Sequence, residues 1–298
     1  MTVDEGQWLT ERFQQHRSHL RAVAYRMLGS VSEADDALQE AWLRIHNQDP
    51  ASVENMQAWL TTVVGRVCLN MLRSRQAREQ LSDFHVPDPV VSPRDGVDPE
   101  QEALLADSVG LALMVVLDAL SPAERLAFVL HDVFAVPFAD IATALDRSEA
   151  AAQQLASRAR RRVQGAPKSD PDLVRQREVV DAFFAASRDG DFDALVAVLA
   201  PEVELRIDAG LGKEASLVLR GAEAVAGHTA TYAKLYPSVR PAIVNGAAGA
   251  VVAPHGRLFS VMAFTVTNGK ITQIDALVDP ERLAQLDLPL PPLEDTPE

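Results

Sequence analysis

The chain has 298 residues, 47% apolar and 23% charged, an ordinary balance for a globular protein able to bury a sizeable core. Its 42 acidic against 28 basic residues give a formal net charge of −14, which excludes a uniformly basic DNA-coating protein but permits local basic faces. The single cysteine, Cys68, excludes an internal disulfide framework and a cysteine-built zinc site, and no apolar run nears the roughly 20 residues of a membrane span. The first eight residues, Met1 to Trp8, lack the basic and apolar blocks of a secretory leader, so a cytoplasmic protein without a membrane partner is expected.

Proline clusters mark the joints, because proline lacks an amide donor and disfavours helical geometry in the residue before it. Pro87, Pro89, Pro93 and Pro99 punctuate residues 81–99, Pro167 and Pro171 punctuate 164–171, and Pro289, Pro291, Pro292 and Pro297 crowd the end. These joints predict a module at 1–80, a linker at 81–99, a second module at 100–166, a third domain at 172–287 and an extended tail at 288–298.

The first predicted helix with a readable face spans Ser30 to Ile45. Ser32 with Asp35 suggests a capping box. Ala34, Ala37, Leu38, Ala41 and Ile45 gather into one apolar stripe at helical spacing, while Asp35, Asp36, Gln39 and Glu40 lie opposite with Leu43 among them. That outer face suits either plain solvation or docking on a basic partner.

Next comes Trp59 to Arg78. Trp59, Thr62, Arg66, Asn70 and Arg73 share one side, opposite Leu60, Val64, Val67, Cys68, Met71 and Leu72. Residues 66–78 hold four arginines and no acid. Arginines beside a stacking aromatic match what single-stranded or melting DNA requires. Arg75 joins them as a candidate contact, although a cation in the last turns also suits the helix dipole.

In the second module, Ser121 as N-cap, Pro122 at the first helical position and Glu124 three residues after the cap predict a helix start. Phe138 to Leu145 reads as a short helix, Asp146 to Ser148 as a turn, and Glu149 to Val163 as a longer helix. Ala152, Leu155, Ala156, Ala159 and Val163 form its inner face. Glu149, Gln153, Gln154, Ser157, Arg158, Arg161 and Arg162 cover the outer arc. This is the pattern of a helix-turn-helix whose second helix enters the major groove. Ser148, Glu149, Gln153 and Ser157 would then face base edges, with Arg158 and Arg161 gripping phosphates.

Past Pro171 the periodicity changes. Helices are predicted from Asp172 to Ser187 and Phe192 to Leu199. Strands are predicted at Val203 to Asp208, Ala250 to Ala253, Leu258 to Thr267 and Ile271 to Val278. Asn268-Gly269 between the last two is a hairpin signal, since both residues tolerate positive φ. The third segment is thus predicted as α+β with an antiparallel sheet.

Together these features resemble a bacterial extracytoplasmic-function (ECF) sigma factor. The resemblance is carried by Tyr25-Arg-Met-Leu-Gly29, Ala34 to Trp42, Ala58 to Leu69, Ser121-Pro-Ala-Glu-Arg125 and Gln154 to Val163. It implies two all-α modules, a sigma-2 bundle and a sigma-4 helix-turn-helix. It further implies docking of the acidic helix on core RNA polymerase (the β′ subunit, with β the other large subunit), reading of a promoter −10 element by the Trp59 helix and of a −35 element by the helix from Glu149. The third segment resembles the SnoaL-like extension of one sigma subgroup, a ketosteroid-isomerase-like α+β cone that modulates sigma activity and catalyses nothing. Asp189 to Leu195, Asp208-Ala-Gly-Leu-Gly-Lys213 and Asp279-Pro-Glu-Arg-Leu283 sit at the extension's motifs. The resemblance therefore implies an intramolecular regulator in which Asp208, Gly210, Gly212, Lys213, Asp279, Pro280 and Leu283 contact the sigma modules. Three stretches depart from the subgroup. Ala209 and Leu211 interrupt its glycine run, Gln153 stands where an arginine is frequent, and Phe84 to Pro89 keeps part of a Trp-Leu-Pro-Glu-Pro linker motif.

Other chemistries fit less well. Gly210-Leu-Gly-Lys213 lacks the first glycine of a phosphate loop, position 207 being Ile, and has Glu214 in place of the metal-binding hydroxyl. His16 and His19 share a helix face without a third ligand, which predicts solvated side chains and no metal. No cofactor is implied. The alternative for the third segment is a small-molecule-binding domain or an isomerase- or cyclase-type enzyme fused to a DNA-binding module; such an enzyme would use a pocket carboxylate as base, with Asp208, His228 and Tyr232 as the candidates. A DNA-binding regulator independent of polymerase would leave the acidic helix and the Trp59 face without a purpose.

Overall fold

The computed structural model describes residues 3–46, 53, 55–78, 85–93, 110–165, 168–210, 216–232, 238–286 and 288. Described residues within 1–80 and 116–166 form one compact unit, and those within 81–98, 108–115 and 167–298 form another.

The first unit is helical. α1 (Val3–Leu28), α2 (Val31–Ile45) and α3 (Met56–Arg78) pack on one another. α4 (Leu111–Asp118) has its last three residues in this unit. It is followed by α5 (Pro122–Phe128), a π-helical turn at Val129–Val133, α6 (Phe138–Leu145) and α7 (Glu149–Val163). In α2 the apolar stripe is buried as predicted, but the cap differs. Ser30, in extended geometry, accepts from Glu33 N, so the helix begins at Val31 rather than after Ser32. α5 carries the predicted capping box, with Ser121 and Glu124 bonded reciprocally and Pro122 in the first turn. The turn after α6 is closed by Asp146, whose φ of 55° is the left-handed geometry that Asp tolerates better than most side chains.

α3 also packs on α5 and α6. Gly65 makes that approach possible, since a β-carbon there would lie 3.0 Å from Leu126 Cδ1 and 3.1 Å from Leu130 Cδ1. Arg125 is fully buried. Its Nε donates to Arg26 O at 3.1 Å and its Nη1 pairs with Asp118 at 2.7 Å, so one side chain ties α5 to α1 and α4. His19, expected in solvent, bonds Thr61 Oγ1 at 3.0 Å and meets the Phe134 ring edge-on at 5.1 Å, a structural role.

The second unit is an α+β cone. α8 (Leu173–Asp189) and α9 (Phe192–Val198) lead into β2 (Leu199–Asp208). β3 (Leu217–Arg220), α10 (Ala222–Thr231), β4 (Val239–Val244), β5 (Ala247–Val252), β6 (Ser260–Thr267), β7 (Lys270–Leu277) and α11 (Pro280–Leu283) complete it. A seventh strand, β1 (Val91–Pro93), comes from the linker. Among the described residues the order is β1-β4-β5-β6-β7-β2-β3. The core is built from Val180, Phe183, Phe184 and Leu195 of the helices against Leu205, Phe264 and Ile274 of the sheet. The three phenylalanine rings meet edge-to-face at 5.3–5.5 Å.

The sheet departs from the expected antiparallel order at one seam. β2 and β7 are parallel, pairing Leu205 with Ile274 and Ile207 with Ala276. Period-two alternation reports which face a residue takes, not the direction of its neighbour, so this pairing was invisible in the pattern. β4 escaped notice because of Pro241. Its partner β1 reaches only to Ala242, so among the described residues no strand lies beside Pro241 on that side. The predicted hairpin is present, with Asn268 at φ 53° and Gly269 at φ 71°. Asp170 accepts from both turn amides at 3.0 and 3.1 Å, which pins the joint after Pro167 to the turn and holds its carboxyl below the usual range.

Candidate nucleic-acid and polymerase surfaces and a linker clamp

The helix-turn-helix is built as its sequence demands. Ala152, Leu155, Ala156 and Ala159 of α7 are buried, and Glu149, Gln153, Gln154, Ser157, Arg158, Arg161 and Arg162 are exposed. Ser148 caps the helix by accepting from Ala151 N at 3.3 Å, and Gln153 donates to Glu149 at 3.3 Å. Two arginines serve the scaffold. Arg160 pairs with Asp132, and Arg162 pairs with Glu124 at 2.9 Å. Arg158 and Arg161 stand exposed on the arc.

On α3, Arg66, Asn70 and Arg73 are exposed, while Trp59 and Thr62 are half-buried. The Thr62 hydroxyl donates to Ala58 O of its own helix at 2.9 Å. Arg75 is committed elsewhere: it pairs with Glu33 and donates to Leu28 O at 3.3 Å, linking α3 to α1 and α2. On α2, Asp36, Gln39 and Glu40 are exposed, and Leu43 is 68% exposed. Asp35 receives a two-pronged bond from Arg21 at 2.9 and 3.0 Å, so it fixes α1 against α2, and Glu40 pairs with Arg44. Cys68 is buried, and burial pushes its thiol well above the ordinary range.

In the second unit the extension motifs converge on the linker. Asp208, at the end of β2, accepts from Val86 N at 2.8 Å and from Gly210 N at 3.1 Å, and pairs with Arg282 Nη1 at 2.9 Å. His85 Nδ1 lies 3.4 Å from the same carboxylate. Burial would raise the Asp208 carboxyl. The bonds from His85, Val86 N and Gly210 N and the Arg282 charge outweigh it and hold the group far below its usual range. Arg282 also donates to Asp88 Oδ1, at 2.8 Å from Nε, and to Val86 O. Asp279 caps α11 by accepting from Glu281 N at 2.9 Å and Arg282 N at 3.4 Å, with Pro280 in the first turn and Leu283 buried. Gly210 must be glycine here: its φ is 98°, and a β-carbon would stand 2.5 Å from Asp279 Oδ2. Farther along the linker, Val90 N donates to Asn245 Oδ1 at 2.9 Å, and β1 pairs antiparallel with β4.

Asp208, Gly210, Asp279, Pro280 and Leu283 therefore share one site, while Gly212 and Lys213 lie outside the described residues. Reading by motif passed over the residue at the centre, Arg282, and its linker partners His85, Val86 and Asp88. No local signal marks Arg282, because a cation in the last turn of a helix is what the helix dipole favours. The enzyme alternative is not assembled. Asp208 is occupied by this network, whereas His228 and Tyr232 line a separate cavity that it does not reach.

A helical unit with a helix-turn-helix and an arginine-bearing helix, on a chain that continues into an α+β cone, defines a DNA-binding transcription protein with an appended domain. The comparisons agree. The family model for sigma-70 region 2 matches residues 12–78, and that for sigma-70 region 4 matches residues 110–163. The chain is 40% identical over 287 residues to the ECF RNA polymerase sigma factor SigJ of Mycobacterium tuberculosis, covering 91% of each chain. It is 34% identical over 283 residues to the probable ECF RNA polymerase sigma factor SigI of the same species, covering 91% of this chain and 93% of that one. The crystal structure of M. tuberculosis SigJ matches with a TM-score of 0.75 at 36% identity, covering 95% of this chain and all of the other. The chain belongs to the ECF RNA polymerase sigma factors. It is a sigma factor that brings core RNA polymerase to promoter DNA, and its C-terminal domain has the SnoaL-like cone fold. Among the described residues no helix is long and apolar enough to cross a membrane.

Proposed function

We propose that this sigma factor works in the cytoplasm through three surfaces and one internal clamp. The exposed arc of α7 reads the −35 element. Ser148, Glu149, Gln153 and Ser157 face base edges, and Arg158 and Arg161 hold phosphates. The Trp59, Thr62, Arg66, Asn70 and Arg73 side of α3 engages the −10 element as it melts, while Arg75 positions the helix through Glu33 and Leu28 O. Asp36, Gln39, Glu40 and the exposed Leu43 dock on the polymerase β′ subunit, and Asp35 shapes that face through Arg21. The β subunit is the other expected partner in the core polymerase.

The C-terminal domain regulates by holding the linker. The observation that carries this reading is the Arg282 network, in which one guanidinium binds Asp208 of the cone together with Asp88 and the Val86 carbonyl of the linker. A linker held as an edge strand cannot also serve as a free tether between two modules. Packing of α6 and α5 on α3 in the first unit supports a closed resting form, since reading two elements about two helical turns apart requires the modules to separate. The domain thereby shifts the balance between closed and polymerase-competent forms.

Run-off transcription with core polymerase, on promoters selected from genomic fragments, tests the surfaces. Arg158→Ala with Arg161→Ala is expected to cut promoter-specific transcript roughly tenfold or more and to lower the salt dependence of promoter binding by about two phosphate contacts. Unchanged transcript from the double variant would remove α7 as the reading helix.

A further inference from the structure

The cone of the second unit holds a cavity of about 150 Å³ on the helix side of its sheet, and neither the sigma surfaces nor the linker clamp uses it. Its walls are mostly aliphatic and aromatic, with Leu205, Ile274 and Ala276 from the sheet and Phe184 from α8. Four polar side chains interrupt them, His228, Thr229, Tyr232 and Ser260, and two of these carry an unpaired buried atom. Ser260, at the start of β6, is 4% exposed and its Oγ is buried without a hydrogen-bond partner. His228, on α10, has its Nε2 buried without a partner as well. Buried polar atoms are nearly always paired, so two orphans on the wall of one apolar cavity call for an explanation. A mainly apolar hollow of this volume has room for a small aromatic molecule.

We propose that this cavity is a binding site for an uncharged, mainly apolar small molecule of one or two rings, whose single hydroxyl or carbonyl group satisfies His228 Nε2 and Ser260 Oγ. The chemistry of the walls sets the class. Among the described lining residues there is no Asp, Glu, Lys or Arg, so an ionised ligand would lose its hydration without gaining a counter-charge. Burial disfavours the imidazolium form of His228, which leaves a neutral ring able to donate to a carbonyl or accept from a hydroxyl. The position also bears on the linker. β4 contributes Val239 to the wall and, at its other end, pairs Ala242, Ile243 and Val244 with the linker strand β1. The proposal itself does not depend on the promoter-reading surfaces, because binding is measured directly.

Calorimetric titration of the full chain with 4-propylphenol, propylbenzene and 4-propylbenzoate tests it. Saturable binding of 4-propylphenol is expected, about tenfold or more weaker binding of propylbenzene, and no saturable heat from the carboxylate. His228→Ala with Ser260→Ala is expected to bring 4-propylphenol down to the level of propylbenzene. Ala276→Phe fills the cavity and abolishes binding. Val252→Phe fills it from another strand, and circular dichroism of each variant establishes that it folds. Three results would overturn the site: no saturable 4-propylphenol binding to the unaltered chain, an unchanged preference for the phenol in the His228/Ser260 variant, or binding that survives in a folded cavity-filling variant.

Discussion

Each unit of the molecule is tied together by one arginine, and the two ties differ in kind. Arg125 in the helical unit is 1% exposed, and its charge is met by Asp118 and the Arg26 carbonyl inside the packed helices. Burial disfavours its charge, and Asp118 offsets part of that effect. Arg282 in the cone sits at a rim, its side chain 16% exposed, and binds two carboxylates and a carbonyl on segments far apart in sequence. A fully buried guanidinium cannot lose its partners without leaving a stranded charge, whereas water can replace a rim network partner by partner. The contrast separates a fixed scaffold from a contact that regulation can release.

Arg125→Ala breaks the scaffold side of that comparison. It empties a buried site between the helices and frees the end of α1, at an expected cost of about 3–5 kcal/mol in denaturant unfolding. A loss under 1 kcal/mol would show that the helical unit does not depend on the tie. Arg282→Ala has a smaller effect, about 1–3 kcal/mol. It should leave helix content intact while speeding hydrogen exchange at Val86 and Val90, both amides bonded across to the cone. Slow exchange at both in the variant would mean that β1 pairing alone holds the linker.

Acid sharpens the same contrast. Because the folded Asp208 carboxyl titrates below its unfolded value, its contribution is complete above about pH 4 and lost as the pH falls further, so the hold on the linker should weaken progressively below that pH. Asp275 runs the other way. It is 1% exposed on β7, and burial pushes it up to about 6 despite Arg206 and the Gln273 amide at 2.6 Å. A folded pKa above the unfolded one favours the folded state below about pH 4, and this advantage fades as the pH rises through 6. Asp275→Asn is therefore expected to stabilise the cone by about 1–2 kcal/mol at pH 7 and to leave it little changed at pH 4. Equal effects at both pH values would contradict that assignment. The mildest effect is expected at Cys68, whose buried thiol should react with a thiol reagent only as fast as the helical unit opens.

What could be read in advance follows the same division. The outer faces of α2 and α7 were legible because helical periodicity places Ala34, Ala37, Leu38 and Ala41, or Ala152, Leu155, Ala156 and Ala159, against the core and thereby fixes what remains outside. Ion pairs that take up Asp35 on α2 and Arg75 on α3 were not legible, since their partners Arg21 and Glu33 lie on other helices. In the cone the hairpin at Asn268-Gly269 showed locally, while the parallel β2–β7 seam and the linker strand β1 are pairings between distant segments with no local signature. Arg282 and Asp88 are 194 residues apart in the chain, and no spacing rule joins them. The motif at Asp279 to Leu283 marked the place, but the topology supplied the partner.

The most direct measurement is run-off transcription by core polymerase programmed with the full chain, unaltered or carrying Arg282→Ala, on one selected promoter at matched concentrations. Promoter-specific transcript from both proteins, with yields differing about threefold or more, is the outcome expected if releasing the clamp shifts the closed and competent forms by on the order of 1 kcal/mol. Equal yields from two folded proteins, with the linker amides exchanging faster in the variant, would contradict control through the linker.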